Sequence, residues 1–168
     1  MISDIDEFDF DFDFDEDDSL FVIGDAQQYL FFQSGVNTYA LDVSHVSEMI
    51  EYQAVTKVPM MLPYVKGVTN IRGTIVTVID LLERFGHGST VIGPKTSLVI
   101  VNGIALIIDE VHDVCSIIEE NIKEPLDFGF KLEPRFIKNM AKYQESHIAI
   151  LNCSEILNIS EIAQLKGK

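Results

Sequence analysis

Four histidines, two cysteines, one pair of adjacent acids and one arginine set between glycines are the side chains of this 168-residue chain to which chemistry can be assigned. His45, His87, His112 and His147 stand far apart, without the short spacings that bring imidazoles onto one ion, so they read as structural or surface residues and no metal is expected. Cys115 and Cys153 form no C-x-x-C pair and read as free, partly buried thiols in a reducing compartment. Asp109 and Glu110 cannot act as paired carboxylates, because neighbours on a strand point to opposite faces. The chain has no G-x-S-x-G, phosphate-loop or dinucleotide fingerprint. Gly67 and Gly73 lie six apart but precede a strand instead of following one into a long helix, so they make no phosphate cradle. With no nucleophile, base and orienting group in one set, the chain is expected not to be an enzyme and to carry no cofactor. Arg72 remains. A cation between Ile71 and Gly73, at the entrance to an apolar strand, must reach solvent or find a carboxylate. Arginine is also common as a polar anchor within apolar docking surfaces.

The elements that position Arg72 are short. Tyr29–Phe32 and Thr38–Leu41 read as strands joined at Ser34-Gly35. Asp42 or Ser44 caps an expected helix through Met49, with Val43, Val46 and Ile50 spaced for one face. Val55–Val58 extends, and a helical turn is expected at Pro63–Lys66. Thr74–Ile79 is apolar on both faces and reads as a buried strand. Asp80 with Glu83 caps a helix over Leu81–Phe85, which Gly86 stops. Ser97–Val101 and Ile104–Ile108 flank Asn102-Gly103, the strongest hairpin signal in the chain. Val111–Ile118, Phe136–Tyr143 and His147–Leu151 are further strands, 121–134 is irregular, and a helix from Ser154 or Ser160 through Leu165 closes the chain. Nine or ten short strands with frequent turns imply a mostly β sandwich or barrel. The stretches 75–83 and 148–156 both run from strand into capped helix, a faint internal echo.

Charge divides the chain. The net charge is −15, but residues 1–18 hold ten acids and no base, leaving 17 acidic and 12 basic residues for the remainder. Residues 1–25 read as a disordered acidic tail with alternating Phe and Asp. Residues 26–168 form the folded domain. Nucleic acid is excluded as a partner for want of a basic stripe. No apolar run reaches spanning length, so no direct membrane insertion is expected.

The stretch Pro59 … Val65-Lys66-Gly67-Val68-Thr69-Asn70-Ile71-Arg72-Gly73-Thr74-Ile75-Val76 … Val78-Ile79-Asp80-Leu81 … Phe85 resembles the CheW family of chemotaxis coupling proteins. The resemblance runs from about Gln28 to Leu165. It takes in Tyr39-Ala40-Leu41-Asp42-Val43, Asp109-Glu110-Val111-His112-Asp113-Val114 and Leu151-Asn152-Cys153-Ser154-Glu155-Ile156-Leu157. It implies two five-stranded SH3-like β-barrels packed side by side, a few short helices and a C-terminal helix. The implied role is a non-catalytic scaffold between chemoreceptor cytoplasmic tips and the regulatory domain of the histidine kinase CheA, and weak self-association in arrays is left open by the sequence. The implied location is cytoplasmic, at membrane-associated receptor arrays. Carried over by position, the receptor groove is lined by Val43, Val46, Gly67, Arg72, Val111 and Val114, with Glu48 as ion-pair partner of Arg72. Thr77 departs from a proline common in the family and Ala105 from a frequent glycine. The competing expectations are a CheW-like adaptor for a non-chemotactic kinase and a small β-barrel that binds a metabolite.

Overall fold

Alternation along each strand decides this architecture. In the computed structural model, which describes residues 26–125 and 132–158, β1 (Ala26–Ser34) sends Tyr29 and Phe31 into one buried cluster and Leu30 and Phe32 into another. β7 (Ile104–Ile108) likewise sends Ala105 and Ile107 one way and Ile104, Leu106 and Ile108 the other. Side chains on a strand alternate between faces, so a strand apolar on both must lie between two cores. The chain accordingly has three cores. Tyr29, Phe31, Ala40 and Ile150 fill one lobe, Ile71, Val78, Leu98 and Ile107 fill the other, and a larger cluster through Phe32, Tyr39, Ile79, Leu106 and Met140 forms the seam between them.

Two sheets carry these cores. The first has six strands in the order β8 (Glu110–Ile118), β1, β2 (Asn37–Asp42), β11 (Ser146–Leu151), β10 (Ile137–Tyr143) and the two-residue β9 (Ile122–Lys123). The second has five, in the order β3 (Val46–Glu51), β6 (Ser97–Val101), β7, β5 (Thr74–Asp80) and β4 (Val65–Ile71). Each curls towards closure, which removes open edges. In the first, edge strands β8 and β9 are joined by a single 3-10 turn, Glu119–Asn121. In the second, the chain leaving β3 crosses to β4, where Thr56 and Val68 exchange backbone hydrogen bonds of 2.8 and 2.9 Å.

The lobes repeat one plan. β8, β1, β2, β11 and β10 match β3, β6, β7, β5 and β4 in order and in pairing sense, including the one parallel pair in each sheet. After β5 comes α1 (Leu81–Arg84), capped by Asp80; after β11 comes α2 (Cys153–Ile156), capped by Asn152. Asp80 N donates to Tyr64 O and Asn152 N to Phe136 O, at 2.9 and 2.8 Å. The echo between 75–83 and 148–156 is therefore structural.

Several local expectations are corrected. Asp42 caps only a 3-10 turn, Val43–His45, and the helix expected through Met49 is strand β3. The helical turn expected at Pro63–Lys66 is a shorter turn at Pro63-Tyr64, where Val65 N donates to Leu62 O at 2.9 Å, and β4 begins at Val65. The first hairpin turns at Gly35-Val36, with Gly35 at φ 66, and not at Ser34-Gly35. Ile75 faces solvent, so Thr74–Ile79 is not buried throughout. The acidic tail and the terminal helix beyond Asn158 lie outside the described residues.

Cys153 packs on the seam, where burial, reinforced by Asp42 and opposed by Lys138, pushes its thiol up to about 11. Burial also raises Cys115, with its Tyr143 hydrogen bond opposing. The thiolate is the reactive form. Both cysteines are thus expected to label slowly with a maleimide at mildly alkaline pH in the native protein and quickly in denaturant. Cys153 keeps its proton longer folded than unfolded. Its contribution is therefore complete below the unfolded value of 9.0 and declines as pH rises through about 11. Cys153→Ala is expected to lose that part of the alkaline destabilisation, read as the slope of melting temperature against pH.

Candidate functional site

Two edge strands, one from each lobe, carry three of the four valines singled out in the sequence, and the turn before β3 carries the fourth. Val111 and Val114 sit three apart on β8, which in a regular strand would place them on opposite faces. The ladder to β1 slips between them: Phe31 opposes Asp113 and Phe32 opposes Val111, leaving His112 unpaired as a bulge. Val111 and Val114 therefore lie opposite Phe32 and Leu30, both seam residues, and share the seam face. β3 repeats the arrangement. Val46 opposes Val101 and Glu48 opposes Ile100, so Ser47 is the extra residue, and Val46 and Met49 both pack on the seam. Val43, in the turn before β3, packs on the same cluster. Val43, Val46 and Val111 thus touch one core from both lobes, with Val114 at its more exposed margin.

Arg72 stands apart from that seam. It is the first residue of the two-residue turn joining β4 to β5, with φ 53 followed by Gly73 at φ 87. Two positive φ values mark a type I′ hairpin turn, which favours Asn-Gly. The β6–β7 hairpin of the same sheet uses that pair, Asn102 at φ 51 and Gly103 at φ 80. An arginine in the left-handed region is thus held against backbone preference. Its side chain is 76% exposed, and Nη1 lies 2.9 Å from Glu48 Oε1 on β3. That oxygen is shut from solvent and accepts no aligned hydrogen bond, so the contact is an ion pair by proximity alone. A pair this exposed contributes about 0–1 kcal/mol. The tether orients Arg72 more than it stabilises the fold.

Gly67 is placed differently from its expected role. It is buried in β4 with φ 140, and a Cβ there would overlap the Thr56 carbonyl and lie 2.9 Å from Lys57 Cα. The close approach that this glycine permits is made by the chain's own strand at the closure of the second lobe. Gly73 has nothing within 4 Å of the same position. Ala105 is fully buried in β7, inside the second lobe, and Thr77 pairs with both Val68 and Ile104.

Arg84 was missed in the sequence, where a cation in the last turn of a short helix reads as surface. It is only 8% exposed. From α1 of the second lobe it donates to Ile156 O at 2.9 Å and Glu155 O at 3.0 Å on α2 of the first. The Tyr64 and Phe136 rings lie 4.6 and 4.9 Å from its guanidinium carbon. Tyr64 and Phe136 precede β4 and β10, equivalent places in the two lobes, so Arg84 fastens the lobes where they meet.

Among the described residues no group of three or more His, Cys, Asp or Glu could hold a metal ion. Both lobe interiors are filled by side chains. What the surface offers is apolar. Val36 at the first hairpin, Val91 and Ile92 after α1, Met60 before β4 and Ile75 beside Arg72 all face solvent.

The CheW-like domain family matches residues 28–161. The chain is similar to the chemotaxis protein CheW of Klebsiella aerogenes, at 28% identity over 141 residues, 82% of this chain and 85% of that one. It is similar to the chemotaxis protein CheW of Bacillus subtilis at 26% identity over 140 residues, 81% and 90% of the two chains. Among solved structures, the scaffolding protein TtCheW of Thermoanaerobacter tengcongensis superposes with a TM-score of 0.70 at 30% identity, covering 75% of this chain and 88% of that one.

Proposed function

The chain belongs to the CheW-like family and is an adaptor of chemotaxis signalling; from that premise we propose that it couples chemoreceptor tips to the regulatory domain of the kinase CheA without catalysing a reaction. The observation that carries this reading is the pair of bulged strands β3 and β8. With the turn before β3 they bring Val43, Val46 and Val111, from two lobes, onto one core, with Val114 at its exposed margin. An apolar trough between two rigid walls suits a helical hairpin, which buries apolar stripes against it. Arg72 supplies a directed charge from the neighbouring β4–β5 turn, held in place by Glu48 of β3 and, through the turn, by Gly73. The exposed apolar residues outside that trough, Val36 and Val91 among them, suit contact with a second partner.

An adaptor works by holding two partners at fixed geometry, and the Arg84 clasp makes the two lobes one body. No helix among the described residues is long and apolar enough to cross a membrane. The protein's place at the membrane is proposed to come through its receptor, from the cytoplasmic side. Side chains fill both lobe interiors, which speaks against a metabolite held within a barrel.

Arg72→Asn tests the site. Asparagine suits the left-handed turn position better than arginine, so the variant is expected to melt within about 3 °C of the parent, given roughly 2–4 °C per kcal/mol at this chain size. In receptor-containing membranes reconstituted with the kinase, it is expected to lower receptor-dependent kinase activation at least about tenfold, the loss of one directed charge contact of about 1.4 kcal/mol or more. Full activation by a normally folded Arg72→Asn protein would remove Arg72 from the site. No dependence of kinase activity on added parent protein would remove the coupling role itself.

A further inference from the structure

We propose that the acidic N-terminal segment, residues 4–18, docks on its own first lobe along Lys123, Lys138 and Lys142. Most described cations already have a partner. Lys66 meets Glu83, Arg72 meets Glu48, Lys95 meets Glu110, Arg135 meets Glu133 and Glu155, and Arg84 is held between rings and carbonyls. Lys57, Lys123, Lys138 and Lys142 have no carboxylate within ion-pair distance among the described residues. Three of these four lie together. Lys123 on β9 is directly opposite Met140 on β10, so both point to the face away from the first lobe's interior. Lys142 is two residues further along β10 and shares that face. Lys138 is the unpaired residue of a bulge on the same strand, close enough to Cys153 on the seam side to act on its thiol. All three are exposed.

The acidic segment leads in beside this strip. β1 starts at Ala26, whose ladder partner is Ile118 at the end of β8, and one three-residue turn separates Ile118 from β9. The five residues from Ile118 to Lys123 span at most about 17 Å, and residues 19–25 can cover about 24 Å, so residues 4–18 reach the lysines without strain. Glu119 and Glu120 lie next to the exit and Glu124 follows Lys123, so the attraction rests chiefly on Lys138 and Lys142 of β10, with Lys123 at the margin of the strip. The spacing also fits. An extended Asp-Phe repeat offers a carboxylate about every 7 Å, the same as the step between alternate residues along β10. Ten acids and no base on one side, against three unpaired lysines on the other, give the complementarity. The docked segment covers a cationic strip among the described residues of the first lobe.

Zero-length carbodiimide cross-linking of the full chain, read by mass spectrometry of the monomer band, tests this. Expected are links from acids of residues 4–18 to Lys123, Lys138 and Lys142, unchanged on dilution and lost at about 1 M salt, where screening acts within about 3 Å. The variant Lys123→Gln/Lys138→Gln/Lys142→Gln, with its melting curve taken alongside, is expected to lose them without transfer to Lys57, Lys66 or Lys95. Links spread evenly over all lysines, or absent from the parent protein, overturn the proposal. Links confined to the dimer band overturn it in favour of a second copy as the occupant. Because the parent protein's link pattern decides between these outcomes, the test stands even if the triple variant misfolds.

Discussion

Gly67→Ala is expected to yield little folded protein. The added methyl would be driven into the Thr56 carbonyl and the Lys57 backbone, at a φ of 140 that side chains avoid. Relief requires moving the strand that closes the second lobe, which breaks the two Thr56–Val68 hydrogen bonds. Backbone strain of about 1–3 kcal/mol, two backbone hydrogen bonds of about 1 kcal/mol each and lost packing together come to about 4 kcal/mol. That is a large share of the roughly 5–15 kcal/mol a domain has. Gly73→Ala is the control, because nothing lies near its added methyl. It is expected to cost about 1 kcal/mol for the left-handed turn alone. Denaturant melts of both variants measure the contrast. Equal losses would show that Gly67 is needed for its dihedral angles and not for the close approach of Thr56. Any coupling lost in Gly67→Ala should scale with the folded fraction, since this glycine faces the chain's own backbone.

Arg84→Met is expected to cost about 3 kcal/mol, lowering the melting temperature by roughly 6–12 °C at this size. Methionine keeps much of the volume but leaves Ile156 O and Glu155 O without their donor and the two rings without the cation. Arg84→Lys is expected to recover less than about half of that loss, because an ammonium cannot span two carbonyls while lying flat between rings. Hydrogen exchange should quicken first in α2 and in the turn Pro134–Phe136, where the clasp ends. An unchanged melting curve for Arg84→Met would show that the seam's apolar packing alone joins the lobes.

Where local chemistry is strong, element and sequence agree. Asn102-Gly103 turns the β6–β7 hairpin at the expected residues, and Asp80 caps α1 by accepting from Leu82 N at 3.0 Å. The failures share a cause. The bulge at Ser47 adds a residue to β3, so Val46 and Met49 reach the seam three apart while Ile50 turns to the second lobe's core, and the helical face read from Val43, Val46 and Ile50 does not exist. The bulge at His112 does the same for Val111 and Val114, so strand alternation alone could not have joined them on one face. β4 was overlooked because Gly67 and Asn70 interrupt its apolar pattern. Gly67 is there to admit Thr56, a contact between elements that no window along the chain contains.

The sequence by itself determined the mostly β class, the hairpins with strong turn residues, and the oddity of an arginine in the Arg72-Gly73 pair. These follow from backbone preference and alternation, which act within a few residues. Resemblance, not spacing, put Glu48 beside Arg72. Only the tertiary structure decided that Arg72 is an exposed turn residue tethered at 2.9 Å, while the buried cation is Arg84. It alone set which strands bulge and which face each valine takes. Bulges, closure and burial are fixed by the partner strand across the ladder, and that partner is distant in the sequence, as with Phe32 and Val111 or Tyr39 and Ala149.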